Sequence, residues 1–267
     1  MEEIILRFPH LAEKIFQKLT NEGLAKSREV ERLWQKFIDE QSYPWLRIVN
    51  IPTILQSGNT YMHLAAQCGQ TDLFEMILSE EDNKNPKNCI GETPFIVACT
   101  KGHMNIAIIL LNKSNEFAID LNIKDRFGRT AFHRACENGH SEIVEMLIKN
   151  ASSMNIDLNI KDRIGCTAFH CACVFNHSET FKMIMENSAS TEIDLNSKLN
   201  NGWTAFHLAC WHGHIRIVDM MIEHSESLEL DLKAKDSYGK TGYQWAKANG
   251  RTAFVNLIQT RMPHLAV

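Results

Sequence analysis

The sequence predicts an all-α solenoid of six stacked helix-turn-helix units with projecting β-hairpin loops, preceded by a small three-helix segment. Three observations carry this. A Gly-x-Thr triplet recurs at Gly58, Gly91, Gly128, Gly165, Gly202 and Gly239, with one step of 33 residues and four of 37. After each triplet come a short apolar stretch, a small pair such as Ala135-Cys136, a turn such as Asn138-Gly139-His140, and a second apolar run at helical spacing. Residues 1–50 do not share the period, and they place Leu11, Ile15, Phe16 and Leu19 at the spacing of an amphipathic helix. The division is therefore 1–50 and 51–267, with units at about 54–86, 87–123, 124–160, 161–197, 198–234 and 235–267.

Each part of the unit has a physical reason. Thr130, in Thr130-Ala131-Phe132-His133, can cap a helix start by taking up an unpaired backbone N–H. Ala135 and Cys136 are small where paired helices approach closely. Gly139 supplies the left-handed residue that turns the first helix back into the second. Ile143, Val144, Leu147 and Ile148 fall on one helical face, which a single unit cannot bury alone. The residues Asn150-Ala151-Ser152-Ser153-Met154-Asn155 follow the second helix, where they extend it or enlarge a loop. The terminal units depart from the pattern: Lys247 stands where the others have Ala or Cys and Gln244 where three have His, as suits an outer face in water.

Thr130-Ala131-Phe132-His133, Thr167-Ala168-Phe169-His170, Thr204-Ala205-Phe206-His207 and, more loosely, Thr60-Tyr61-Met62-His63 and Thr93-Pro94-Phe95-Ile96 resemble the ankyrin repeat. That resemblance covers about residues 54–267 and implies a protein-binding solenoid whose hairpin tips and first helices line a concave groove. Four repeats step by 37, four more than the 33 of the first, and the excess lies after the second helix.

Ahead of the repeats, Phe8-Pro9, Leu11, Ile15 and Leu19, then Leu24, Val30 and Trp34, with Phe37 and Ile38, read as three short helices. Their order and spacing resemble an F-box, most closely from Leu19 to Trp34; Phe8 replaces the usual Leu. The resemblance implies that Phe8, Pro9, Leu11, Ile15, Leu19, Leu24, Val30 and Trp34 bind the adaptor subunit of a cullin-RING ubiquitin ligase. The other reading makes residues 8–38 a helical cap on the first repeat. Tyr43-Pro44-Trp45-Leu46 and Ile51-Pro52 suggest a stiff joint.

Bulk properties narrow the partners. A formal charge of -4, with Lys, Arg, Asp and Glu interspersed, gives no field to gather nucleic acid or anionic lipid. Met1-Glu2-Glu3-Ile4-Ile5 lacks a signal peptide's basic start and apolar stretch, and no run approaches a membrane span, so a soluble monomer in cytoplasm or nucleus is expected. The glycosylation-like triplets at Asn112, Asn150 and Asn176 then carry no meaning.

Eight cysteines and twelve histidines invite a metal or redox reading. Register removes most of it. Cys99, Cys136, Cys173 and Cys210 are 37 apart and serve as small apolar residues; His133, His170 and His207 recur where a ring can tie a neighbouring hairpin. Cys171 and Cys173, like His212 and His214, point apart on one helix. With no phosphate loop, nucleophile elbow or zinc motif, no catalytic residue, metal or cofactor is expected. A metal or redox role through the thiols remains a third, weaker reading.

The groove positions flank each hairpin glycine and precede each inter-helix turn. They comprise Arg126, Phe127, Arg129, Glu137 and Asn138; then Arg163, Ile164, Cys166, Val174 and Phe175; then Asn200, Asn201, Trp203, Trp211 and His212; then Ser237, Tyr238 and Lys240. Large apolar groups collect in units four and five, as in a binding centre, although Val174 and Phe175 could instead pack locally because Asn176 replaces the turn glycine. Arg126, Arg129 and Arg163 favour an acidic or mixed-charge target. The expected function is a ubiquitin-ligase substrate receptor, with an ankyrin scaffold or inhibitor as the rival.

Overall fold

The computed structural model describes residues 57–265. The expected F-box-like helices over residues 8–38, all eight expected adaptor contacts and the joint near Pro44 and Pro52 lie outside the described residues. Among the described residues the helices come in six pairs: α1 Tyr61–Cys68 and α2 Thr71–Glu80, α3 Pro94–Lys101 and α4 Met104–Asn112, α5 Ala131–Glu137 and α6 Ser141–Asn150, α7 Ala168–Val174 and α8 Ser178–Thr191, α9 Ala205–His212 and α10 Ile215–Glu223, α11 Gly242–Ala248 and α12 Thr252–Arg261. A short 3-10 turn, Pro263–Leu265, packs on α12. First helices of adjoining units share more packing than second helices do, so the stack curves with the first helices inside.

A threonine and a histidine start the first helices of units three, four and five together. The Thr130 hydroxyl accepts the His133 N–H, while the Thr130 N–H donates to His133 Nδ1 at 3.2 Å. Thr130 Oγ1 lies 3.0 Å from the same nitrogen, so Nδ1 is the bare nitrogen and the proton sits on Nε2. That Nε2 donates to the Cys166 carbonyl of the next hairpin at 3.0 Å. His63 makes the equivalent forward bond to Glu92, and His207 to Lys240. Between units two and three Ile96 takes the histidine's place. His170, between units four and five, keeps its Thr167 cap, but its Nε2 has no well-formed forward bond and makes only a weaker contact with the Ser197 backbone. Leu199 also stands there in place of the aspartate that organises the hairpins of units three, four and six.

A second set of rings points backwards. His103, His140, His177 and His214 donate to the carbonyls of Gln67, Thr100, Glu137 and Val174, each ending the previous unit's first helix. Arg251 takes over in unit six by bonding the Trp211 carbonyl. The ring covers the turn glycine so tightly that a Cβ on Gly139 would meet His177 at 2.4 Å, and its φ of 70° would strain any other side chain.

The small-residue column behaves as expected. Cys99, Cys136, Cys173 and Cys210 are fully buried between units. Around them the second helices bury Ile106, Ile143, Ile184 and Ile217, and in unit four Phe169 stacks on Phe181 at 4.6 Å.

The projecting loops are turns rather than β-hairpins, for no strand occurs among the described residues. Each has too few residues for a ladder. In unit three the Asp125 N–H donates to the Arg129 carbonyl, while the Asp125 carboxylate accepts the N–H groups of Phe127 and Arg129. The remaining bond leaves the unit: the N–H of Arg126, Arg163, Asn200 and Ser237 donates to Ile90, Phe127, Ile164 and Asn201 of the preceding tip.

The four-residue insertion is an extra turn of helix or helix-like backbone that ends at a left-handed residue: Ala118, Asn155, Glu192 or Glu229. Immediately after it, Ile119, Ile156, Ile193 and Leu230 bond back five residues, which closes the helix end. An asparagine then clips each insertion to the unit before it. Asn159 Nδ2 donates to the Glu192 carbonyl at 2.9 Å and its Oδ1 accepts the Asp194 N–H at 2.8 Å. Asn85, Asn122 and Asn196 repeat the pair of bonds. In the last unit Gly239 and Gly250 meet nothing within 4 Å, and Gln244 and Lys247 are exposed.

Two outcomes follow. Asn159→Ala removes both clips and should lower unfolding free energy by about 1 to 2 kcal/mol, read by chemical denaturation. Burial, the largest cause, lowers the pKa of His63, His133 and His207, and takes His170 down to about 3. The unfolded chain binds these protons near pH 6.5, so stability present above that pH should drain away as pH falls toward 3, His170 contributing about 1 kcal/mol per pH unit. Gln244 already caps unit six through its Oε1, so His170→Gln should fold at pH 7 and show a shallower acid slope in the same assay.

Candidate binding surface

The inner face falls into three zones, set by what each unit carries beside its hairpin glycine and on its first helix. The first is an ion-pair network. Arg129 pairs with both Glu137 oxygens at 2.9 and 2.8 Å and lies 3.6 Å from Asp162. Arg134 pairs with Asp125 at 2.6 Å, Glu137 at 3.1 Å and Glu92 at 3.5 Å. Arg129 is therefore held by carboxylates of the chain itself and is not free to orient an acidic segment, as its position suggested. Its pKa is raised: burial opposes its charge, and Glu137 leads the groups that outweigh burial. Four carboxylates surround two guanidiniums, so this zone is not basic. Arg126 and Arg163 remain exposed at the tips, Arg126 lying over the Phe127 ring at 4.8 Å.

Unit four supplies the second zone. Cys166 and Cys171 replace the two arginines, and their sulfurs sit 3.7 Å apart. Ile164 and Phe175 stand 57% and 48% exposed, so Phe175 is not absorbed by local packing. Asn176 adopts φ 60° in place of the turn glycine, and Val174 packs inward. Val174 thus packs locally, whereas Phe175 stays open to solvent.

The third zone is aromatic. Trp203 and Trp211 of unit five lie 5.3 Å apart, and Trp245 of α11 completes the group at 5.7 and 5.4 Å from them. Beneath them Asp236 Oδ2 accepts the indole N–H of Trp203 at 3.0 Å and of Trp245 at 2.7 Å. Its Oδ1 takes the N–H groups of Tyr238 and Lys240. Burial works against this carboxylate, yet these four bonds outweigh it and hold its pKa below the ordinary value. The Trp211 indole has no hydrogen bond among the described residues, and the ring is only half buried. Lys240 lies over Trp245 at 4.2 Å, and Tyr238, 76% exposed, meets the Trp245 edge. His212 is exposed and stacks on His214, so these two rings come together across the inter-helix turn rather than pointing apart on one helix as expected.

The structure thus gathers Trp203, Trp211 and Tyr238, keeps Arg126, Phe127, Arg163, Ile164, Phe175 and His212 at the surface, and withdraws Arg129. Sequence reasoning missed Trp245. Its signal was register: Trp245 stands 37 residues after Leu208 and 34 after Trp211, one helical face from a position already singled out. It also missed the asparagine clips, whose signal was the recurring Ile-Asp-Leu-Asn at 119–122, 156–159 and 193–196. No group of three metal-ligating side chains forms among the described residues, and no helix there is long and apolar enough to cross a membrane.

A family model described as ankyrin repeats in three copies matches the chain in five overlapping stretches: 41–125, 62–162, 116–198, 154–236 and 189–262. No curated protein matches it. The matched stretches together cover most of the chain, and they coincide with helix pairs whose caps, turn rings and hairpins repeat in register. The chain belongs to the ankyrin repeat family.

Proposed function

We propose that the chain is a receptor for a protein target that lies along the inner face, with its centre on Trp203, Trp211 and Trp245. The observation that carries this is the aromatic cluster itself. Large rings half open to water, one indole N–H unused among the described residues, and apolar Ile164 and Phe175 beside them give the mixed character of an interface centre. The chain does no bond chemistry in this reading; its contribution is to hold a target. It works in the cytoplasm or nucleus.

The finer reading makes it the substrate receptor of a cullin-RING ubiquitin ligase. Its support is the spacing of Leu19, Leu24, Val30 and Trp34, with Pro9 and Leu11 before them, which resembles an F-box. Holding target lysines near a ubiquitin-charged partner would then raise their effective concentration. The rival, a scaffold or inhibitor whose N-terminal helices cap the array, has its own support. The family match begins at residue 41, inside the segment assigned to the F-box-like region.

Capture from cell lysate with the whole chain, quantified by mass spectrometry, tests both levels. Trp211→Ala removes a ring whose N–H bonds nothing among the described residues, so it should leave thermal stability near wild type and reduce groove partners at least about tenfold. A target retained by that variant at wild-type level places the interface elsewhere. In the same experiment Pro9→Ala with Leu11→Ala should lose the ligase adaptor and cullin while keeping the partners lost on Trp211→Ala. Adaptor capture that survives the double change defeats the ligase reading and leaves the scaffold.

A further inference from the structure

We propose that Cys166 and Cys171 form a reversible oxidation site, a dithiol on the inner face of unit four that a hydroperoxide converts to an intramolecular disulfide. The sulfurs lie 3.7 Å apart, and the Cys166 thiol also reaches the Thr167 carbonyl at 3.5 Å. A disulfide needs about 2.05 Å, so the sulfurs must close by under about 2 Å. The two occupy different local structures: Cys166 lies on extended backbone just before the Thr167 cap, and Cys171 lies within α7. Their side chains converge although they are not on one helical face.

The other buried thiols lack this arrangement. Cys99, Cys136, Cys173 and Cys210 sit one to a unit at 0% exposure, and Cys173 is committed to the Ala205 carbonyl. Cys166 and Cys171 are 7% and 3% exposed, which sets them apart from the four fully buried column thiols. The hydrogen bond with Cys166 and then burial push the Cys171 thiol up, with Arg129 pulling against them. Cys166, the more exposed of the two, is the thiol that meets peroxide, and Cys171 the resolving thiol.

The chemistry balances without a further reagent. Cys166 sulfur, as thiolate, attacks one peroxide oxygen; the S–O bond forms, the O–O bond breaks, and hydroxide leaves to be protonated to water. Cys171 sulfur then attacks the sulfenic sulfur, the S–S bond forms, the S–O bond breaks, and a second water leaves. Two thiols lose two electrons, and one peroxide gains them. The product ties the base of the fourth hairpin to α7, between the arginine network and the tryptophans. A thiol reductant reverses it.

Trypsin makes the test direct, because residues 164–182 contain Cys166, Cys171 and Cys173 and no internal Lys or Arg. The folded whole chain is treated with hydrogen peroxide, denatured, alkylated and digested. The fragment should carry one alkyl group, at Cys173, instead of three, and dithiothreitol before alkylation should restore all three. Exposed Cys89 calibrates the dose. Three alkyl groups at a dose that has already oxidised Cys89, or sulfonic acid at Cys166 without a crosslink, overturns the proposal. In Cys166→Ser both remaining thiols should stay alkylated, and a Cys171–Cys173 link there also overturns it. If the first variant loses its helical circular dichroism, Cys171→Ser serves instead: Cys166 should oxidise there without forming a crosslink, and a Cys166–Cys173 link overturns the proposal.

Discussion

A helix pair of seven to fourteen residues per helix cannot cover its own apolar face, so each unit must use its neighbour's surface, and the rest of the structure follows from that. The polar groups that join units do so at fixed sequence separations. A cap histidine reaches 33 residues forward, a turn histidine about 40 back, an asparagine 33 to 35 forward. None of these bonds is local, yet each repeats because both partners recur with the same period. The cap histidine shows how finely the arrangement depends on protonation: its Nδ1 must be bare to accept the Thr N–H, and its Nε2 must carry the proton to bond the next hairpin. Only the neutral ring does both.

The same framework explains why the inner face changes character along the stack. Caps, turn glycines and helix-packing cysteines are fixed by contact with adjoining units, whereas the residue after the hairpin glycine and the inward positions of the first helix are not. At those positions unit three has Arg129, Arg134 and Glu137, unit four Cys166, Cys171 and Val174, and unit five Trp203, Leu208 and Trp211. Charges in the first zone are satisfied internally, with Asp125 and Asp162 shared between hairpin amides and arginines. Specific recognition by charge therefore falls to the tips, where Arg126 and Arg163 stand in solvent, and affinity to the aromatic end.

Most of the fold was legible because it is periodic. Thr130, Gly139 and Cys136 could each be assigned a role from one repeat and checked in the next, and the structure fills those roles. What was not legible had two causes. The partners of Arg129 are spread from Glu137 to Asp162, and nothing in a linear reading shows that two arginines and four carboxylates converge, so Arg129 looked available. Trp245 and the asparagine clips were hidden by the roles already given to their surroundings, an end cap and an irregular loop. The hairpins were over-read for a related reason: a glycine turn between short arms suggests strands, but here the arms spend their N–H groups on Asp125-type carboxylates and on the preceding tip.

One seam joins these threads. Between units four and five the forward histidine bond is weakened to a contact with the Ser197 backbone, Leu199 replaces the hairpin aspartate, and the hairpin falls back on Asn201 to accept the Trp203 N–H. The Asn200 N–H and the Asn196 clips keep the units joined, so the loss is partial. Burial opposes protonation of this imidazole and takes its pKa down to about 3, with the Ser197 backbone pulling the other way. The thiol pair lies on one side of this seam and the tryptophans on the other. The fifth hairpin carries Trp203, so the aromatic centre is tied to unit four through the Asn200 N–H, the backward bond of His214 and the Asn196 clips rather than through a full cap-histidine bond.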